Sequence, residues 1–219
     1  VFMKVFLADT SMSAVSKLER ALVFSGFSCE KQIFSGKFPE FCMRSDERET
    51  KGVLLLGAGL DVGAMQGFIR HCHQMCSVMP VIAVVEAGEC DAIQALFEAG
   101  IADYLCMPVR LRELVTRVSL AIRRAYPSEY AAAITTVGPF VFSRYPNRVM
   151  RDGKEIVLTA REFELALLLF THIGQPLSRL TLEETVWPDN ANESSRTVDT
   201  HVSRVRNKLG LREDSGFCL

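Results

Sequence analysis

Val53-Leu54-Leu55-Leu56 and Val81-Ile82-Ala83-Val84-Val85 are unbroken apolar runs. Such runs suit strands covered on both faces, the situation in parallel sheets. Val5-Phe6-Leu7-Ala8 is a third run of this kind, and Phe27 to Ile33 and Asp103-Tyr104-Leu105-Cys106, closed by Met107-Pro108, supply two more strand candidates. Amphipathic stretches alternate with them. Ser11 or Ser13 can cap a helix that carries Val15, Leu18, Ala21 and Leu22 on one face. Val62 to Cys76, Asp91 to Ala99 and Leu111 to Arg124 continue the pattern. The order βαβαβαβαβα predicts an α/β, doubly wound (βα)5 parallel sheet.

The rhythm changes after Arg123-Arg124. Tyr126-Pro127-Ser128-Glu129 reads as linker, and Val137 to Val141, Arg148 to Arg151 and Glu155 to Leu158 read as short strands, with Asp152-Gly153 as a tight hairpin turn between the last two. Thr159 with Glu162 three residues on is a capping box opening a helix whose apolar face holds Phe163, Leu165, Ala166, Leu169 and Phe170. Gly174-Gln175-Pro176 stops it. A short helix ends near Trp187-Pro188, and a last helix runs from Ser195 to Leu209, closed by Gly210. The expected organisation is an α/β domain over 1–122, a linker over 123–130 and an α+β domain over 131–219.

Charge narrows the possible partners. Lys+Arg is 25 and Asp+Glu is 26, a formal net charge of −1, so bulk positive charge cannot hold this protein to nucleic acid or membrane. The apolar runs fall short of the roughly 20 residues that span a bilayer. Val1-Phe2-Met3-Lys4 passes directly into a strand without the features of a secretory signal, and the 7 cysteines have no framework of spacings. A cytoplasmic protein is expected. The neutral total conceals a local patch: residues 196–212 hold five basic residues against one acid, or +4. In the last helix Val198, Val202, Val205 and Leu209 form an apolar stripe, and Arg196, Thr200, Ser203, Arg204 and Asn207 lie opposite. Thr197, His201, Arg206 and Lys208 flank them. Arg can pair bidentately with guanine, Asn with adenine, and a Thr methyl can meet a thymine methyl, while flanking cations grip phosphates. Any surface helix has a polar face; the capped helix, short helix and loop before this one supply the scaffold that a helix-turn-helix needs.

The stretches LTAREFELALLLFTHIGQPLSRLTLEETVW and SSRTVDTHVSRVRNKLG resemble the winged helix-turn-helix of OmpR/PhoB-family response regulators. AGIADYLCMPVRLRELVTRV resembles the end of that family's receiver domain. The resemblance implies a bacterial transcription factor that binds tandem half-sites of double-stranded DNA as a homodimer. It implies a loop touching RNA polymerase, here Pro188, Asp189, Asn190, Ala191, Asn192 and Glu193. It also implies a β-hairpin wing after the last helix. The chain reaches Ser215-Gly216-Phe217-Cys218-Leu219 where the first wing strand would begin, so an incomplete wing is expected.

The same resemblance asks a receiver for first-strand acids that hold Mg²⁺, an acceptor Asp ending the third strand, a Thr or Ser on the fourth and a Lys on the fifth. Here these positions fall on Asp9 flanked by Ala8 and Thr10, on Gly57, on Val85 and on Met107. The expectation is a pseudo-receiver with no phosphoacceptor and no cofactor. Asp61 is a surrogate acceptor, or else a solvated loop carboxylate or a helix N-cap. The family pairs receivers through the fourth helix, fifth strand and fifth helix, where Asp103 and Arg117 match an intermolecular ion-pair position with Arg110, Arg112 and Glu113 nearby. Two other readings stand beside this one: an adaptor that takes a partner protein or small ligand in the vacated pocket, and a metal or redox sensor built on His71-Cys72-His73-Gln74-Met75-Cys76, where Cys72, His73 and Cys76 fall within one helical turn. The latter has too few ligands for a structural zinc site, so no metal is expected. Trp187 is a core residue or a polymerase contact. No nucleophile–base constellation points to an enzyme.

Overall fold

The computed structural model describes residues 3–34, 51–75, 78–88, 90–188 and 196–212. The chain divides into two units, Val1–Ala132 and Ala133–Leu219.

The first unit is a receiver-like α/β domain. Its elements are β1 (Lys4–Asp9), α1 (Met12–Phe24), β2 (Ser28–Ile33), β3 (Gly52–Leu56), α2 (Val62–Met75), β4 (Val81–Val85), α3 (Cys90–Ala99), β5 (Asp103–Cys106), α4 (Leu111–Ala125) and α5 (Pro127–Ala132). The strands form one parallel sheet in the order β2-β1-β3-β4-β5, with Val5 opposite Val53, Leu54 opposite Val81 and Ala83 opposite Tyr104. Every residue of β3 and β4 is buried. α2 and α3 cover one face over Phe6, Leu54, Leu56, Ala83 and Val85, and α1 packs with α4. Ser11 is the α1 cap, its hydroxyl accepting from the Ala14 amide at 3.4 Å. The helix that the alternation predicts between β2 and β3 is expected within 35–50, which lies outside the described residues.

The stretch expected as linker is helical instead: α4 continues to Ala125 and α5 begins at Pro127. Tyr126 stands between the two helices. It is buried, and its hydroxyl accepts from the Gly52 amide at 3.3 Å and donates to the Gly52 carbonyl at 3.2 Å. A Cβ on Gly52 would lie 2.1 Å from the Lys4 carbonyl oxygen, so only glycine fits there. Pro127 occupies a first helical position, where its missing amide is no loss. Lys51 pairs with Glu129 of α5.

The second unit is an α+β winged helix-turn-helix domain. An antiparallel sheet of β6 (Ile134–Val137), β7 (Phe140–Ser143), β8 (Arg148–Arg151) and β9 (Lys154–Ile156) precedes α6 (Ala160–Thr171), α7 (Arg179–Val186) and α8 (Arg196–Leu209). The strand expected over Val137 to Val141 is two strands, because Gly138 takes a positive φ of 55° and Val137 pairs back onto Phe140. Asp152 and Gly153 both have positive φ, 49° and 78°, between the paired residues Arg151 and Lys154, which is a type I′ hairpin. β9 stops at Ile156, short of the expected Leu158. Phe140, Phe142, Phe163 and Phe170 meet as a set of tilted and edge-on rings at centroid distances of 4.8 to 6.5 Å. Val198, Val205 and Leu209 of α8 pack into that core. Among the described residues no helix is long and apolar enough to cross a membrane.

Candidate nucleic-acid interface

α8 has two opposite sides. Val198, Val205 and Leu209 are at most 1% exposed, and Val202 is partly buried beside them. That forces Thr200, Ser203, Arg204 and Asn207 outward, and all four are exposed. Their i, i+3, i+4, i+7 spacing aligns them along one face. Arg206, exposed, flanks the strip on one side, with His201 and Lys208 on the other. The side chains of Arg196 and Thr197 lie outside the described residues, as do Asp189, Asn190, Ala191, Asn192 and Glu193 of the expected polymerase loop. Pro188 of that loop is exposed.

Four contacts seat the helix. His201 meets the Trp187 ring edge-on with centroids 5.0 Å apart, and Trp187 is itself a core residue. Arg179 at the start of α7 pairs with Asp199, Nε to Oδ1 at 3.1 Å. Lys208 Nζ donates to Glu162 Oε2 at 2.6 Å. Arg151 Nη1 donates to the Leu209 carbonyl at 2.9 Å, with its guanidinium 5.2 Å from the Phe140 ring centre. A cation at the last carbonyls of a helix answers their unpaired charge. Lys208 and His201, expected to grip phosphate, also hold the helix to its own domain. Arg151 was not legible as a positioning residue, because nothing local marks a strand arginine as a helix-end partner.

Glu162 joins two of these arrangements. Its Oε2 accepts from the Thr159 amide at 2.8 Å in the capping box and from Lys208, and the residue is buried. Burial pushes its carboxyl up, but the hydrogen bonds from Lys208 and Thr159 outweigh that and hold it below the ordinary carboxylate range.

In the first unit the position expected for a phosphoacceptor is filled. A Cβ on Gly57 would lie 1.8 Å from Asp9 Oδ2 and 2.5 Å from Asp9 Cγ. Asp9 is buried, and its carboxylate accepts from the Ser11 amide at 2.9 Å and the Gly59 amide at 3.4 Å. The Thr10 hydroxyl lies 3.4 Å from Asp9 Oδ1 and donates to the Gly59 carbonyl at 3.1 Å. Val85 is buried in the core and Met107 is 39% exposed. The space directly beside Gly57 is therefore taken by the Asp9 side chain. Asp61 is a cap: its Oδ1 accepts from the Ala64 amide at 2.8 Å.

The residues expected at a dimer interface are already paired within the chain. Arg117 Nη1 meets both carboxylate oxygens of Asp103, at 2.7 and 2.9 Å, and Nη2 meets Glu113 at 2.9 Å. The hydrogen bond to Asp103 is the main reason that the Arg117 guanidinium holds its proton more tightly than usual. Asp103 and Arg117 thus form an intramolecular pair, as the β5–α4 turn brings strand and helix within reach of one guanidinium. Arg110 and Arg112 are exposed. Cys72 is buried, His73 Nε2 lies 3.0 Å from the Gly100 carbonyl, and Cys76 lies outside the described residues. Among the described residues no group of three or more His, Cys, Asp or Glu could hold a metal ion. Burial pushes the Cys29 thiol up to about 12.

The family described as "Transcriptional regulatory protein, C terminal" matches residues 153–217. The transcriptional regulatory protein PrrA of Mycobacterium tuberculosis is 29% identical over 207 residues, which cover 94% of this chain and 87% of that one. ResD of Bacillus subtilis, a transcriptional regulatory protein, is 39% identical over 150 residues, 64% of this chain and 62% of its own. The phosphate regulon transcriptional regulatory protein PhoB of Pseudomonas aeruginosa is 36% identical over 133 residues, 60% of this chain and 57% of its own.

Proposed function

Because the chain belongs to the OmpR/PhoB family of DNA-binding response regulators, we propose that it acts without aspartyl phosphate, reading tandem half-sites of double-stranded DNA through α8 as a homodimer. One observation carries the phosphate-independent part. The Asp9 carboxylate stands in the space that a third-strand acceptor would need, 1.8 Å from where a side chain on Gly57 would begin. The chemistry around it agrees: Val85 and Met107 supply neither the hydroxyl nor the ammonium that would read a phosphoryl group.

Thr200, Ser203, Arg204 and Asn207 are the base-reading side chains. Arg204 pairs with guanine and Asn207 with adenine, and Arg206 adds a phosphate contact. The receivers pair through α3, β5 and α4, and the 188–193 loop meets RNA polymerase.

Genome-wide footprinting of the untreated protein tests the whole reading, with tandem half-sites as the expected pattern. Arg204→Ala is expected to lower specific affinity by roughly 1–3 kcal/mol and to relax preference at one base position. Unchanged promoter binding by that variant would favour the adaptor reading instead. Aspartyl phosphate formed on incubation with acetyl phosphate would end the phosphate-independent reading.

A further inference from the structure

Beside the closed acceptor position, a cleft of about 410 Å³ opens between α1 and α4 at the carboxyl ends of β1, β4 and β5. Small-molecule sites run from about 300 to 1,000 Å³, and in doubly wound sheets they lie outside the strands' carboxyl ends near the switch in strand order. The order β2-β1-β3-β4-β5 switches between β1 and β3, and the cleft reaches both, at Asp9 and Ala58. Its walls are mostly apolar: Leu18 from α1, Val84 from β4, Val109 from the β5–α4 turn and Leu114 from α4. Two large apolar side chains that line it, Met107 and Leu111, are 39% and 43% exposed. Folding has left them against water.

The polar groups fix the charge of an occupant. Ser13 and Lys17 stand four residues apart on α1 and line the cleft together. Lys17 makes no ion pair among the described residues. Asp9 also borders the cleft, and its carboxylate is stabilised by two backbone N–H bonds with the Thr10 hydroxyl alongside, while Lys17 is the one cation among the described residues that line it. We propose that this cleft binds a small organic anion, an apolar body with a single carboxylate, whose body lies on Leu18, Val84, Val109 and Leu114 and whose carboxylate meets Lys17 and Ser13. The inference rests on the phosphate-independent reading above, since the ligand supplies the input that phosphoryl transfer does not. Its route to the rest of the domain is short: Leu114 is one helical turn before Arg117, which holds Asp103 and Glu113.

Octanoate, octylamine and octanol titrated calorimetrically into the full chain test the assignment. Octanoate is expected to bind saturably with one site per chain, and octylamine not to do so. Lys17→Met weakens octanoate by about tenfold, the worth of one charge-assisted hydrogen bond. Val109→Trp, which fills the cleft from a turn, abolishes binding. If Val109→Trp fails to fold, Lys17→Met and the head-group series still decide. Octylamine binding as well as octanoate, or octanoate binding indifferent to Lys17→Met, overturns the proposal. A parallel incubation with acetyl phosphate separates the two readings: phosphate incorporation overturns the premise and the cleft assignment with it, whereas no incorporation and no octanoate site overturns the cleft assignment alone.

Discussion

Gly57 shows how one missing side chain bears on its neighbours. Its missing side chain is not a simple loss, because the space is taken by Asp9, and Gly57→Asp would have to expel a carboxylate held by two backbone amides. Restoring the acceptor is therefore expected to leave the protein unphosphorylated and to destabilise the first unit by about 1–3 kcal/mol through overpacking. Denaturant unfolding and phosphate incorporation check this, and a stable, phosphorylated Gly57→Asp protein would refute it. Glu162 makes a different case. Its folded carboxyl titrates below the ordinary value near 4.5, so its contribution is complete above that value and is lost as pH falls through the lower, folded one. The urea midpoint of the second unit should thus drop more steeply on acidification below about pH 4.5 in the wild type than in Glu162→Gln. Parallel curves would show that the Lys208 pair contributes nothing. Lys208→Met should cost roughly 1–3 kcal/mol at neutral pH by leaving a buried charge short of a partner.

At the scale of the element, α8 is a helix fastened at both ends, with the outer face of its middle left to solvent. The stripe of Val198, Val205 and Leu209 sets its rotation, while Arg179–Asp199 near its start and Arg151 and Lys208 near its end oppose rocking. Arg151→Ala is expected to lower stability by about 1 kcal/mol and to weaken binding to all DNA sequences alike, since it moves the helix rather than a base contact. Arg204→Ala, by contrast, is expected to act at one base position. Binding measured across a panel of single-base variants of the site separates the two patterns; a change at one base position in Arg151→Ala would make Arg151 a reader. Most of this element was legible in advance. The stripe, the capping box of α6 and the Asp152-Gly153 turn are local patterns whose partners lie within a few residues. The inward engagement of His201 and Lys208 was not, because a side chain on a helix shoulder reaches either solvent or its own domain with equal ease. The partner that decides lies far away in sequence, 46 residues for Lys208 and Glu162.

For the whole molecule, a net charge of −1 coexists with +4 over residues 196–212. Few phosphates can be neutralised by one chain, and log affinity falls with log salt by about 0.9 per phosphate on duplex DNA. A single copy should bind weakly at physiological salt, and occupancy of tandem half-sites should depend on pairing. Arg117 is the residue to test, because one guanidinium ties Asp103 of β5 to Glu113 of α4. Arg117→Ala is expected to shift the protein towards monomer in sedimentation and to abolish cooperative filling of two half-sites while single-site contacts persist. A wild-type chain that sediments as a monomer at micromolar concentration, with or without phosphodonor, would remove the dimer from the mechanism.

The alternation of buried strands and amphipathic helices, the change from a parallel to an antiparallel plan, and the face of α8 that meets solvent are all written locally in the residues. Each follows from periodicity, capping or turn chemistry within a few residues. Packing between distant segments sets the rest: Asp9 takes the space at Gly57, Tyr126 within the expected linker is buried and bonds Gly52, and Asp103 and Arg117 satisfy each other within one chain. The physical reason is common to all three: a polar group near the interior takes whichever partner the fold brings within about 3 Å, and that neighbour is set by the packing of segments distant in sequence.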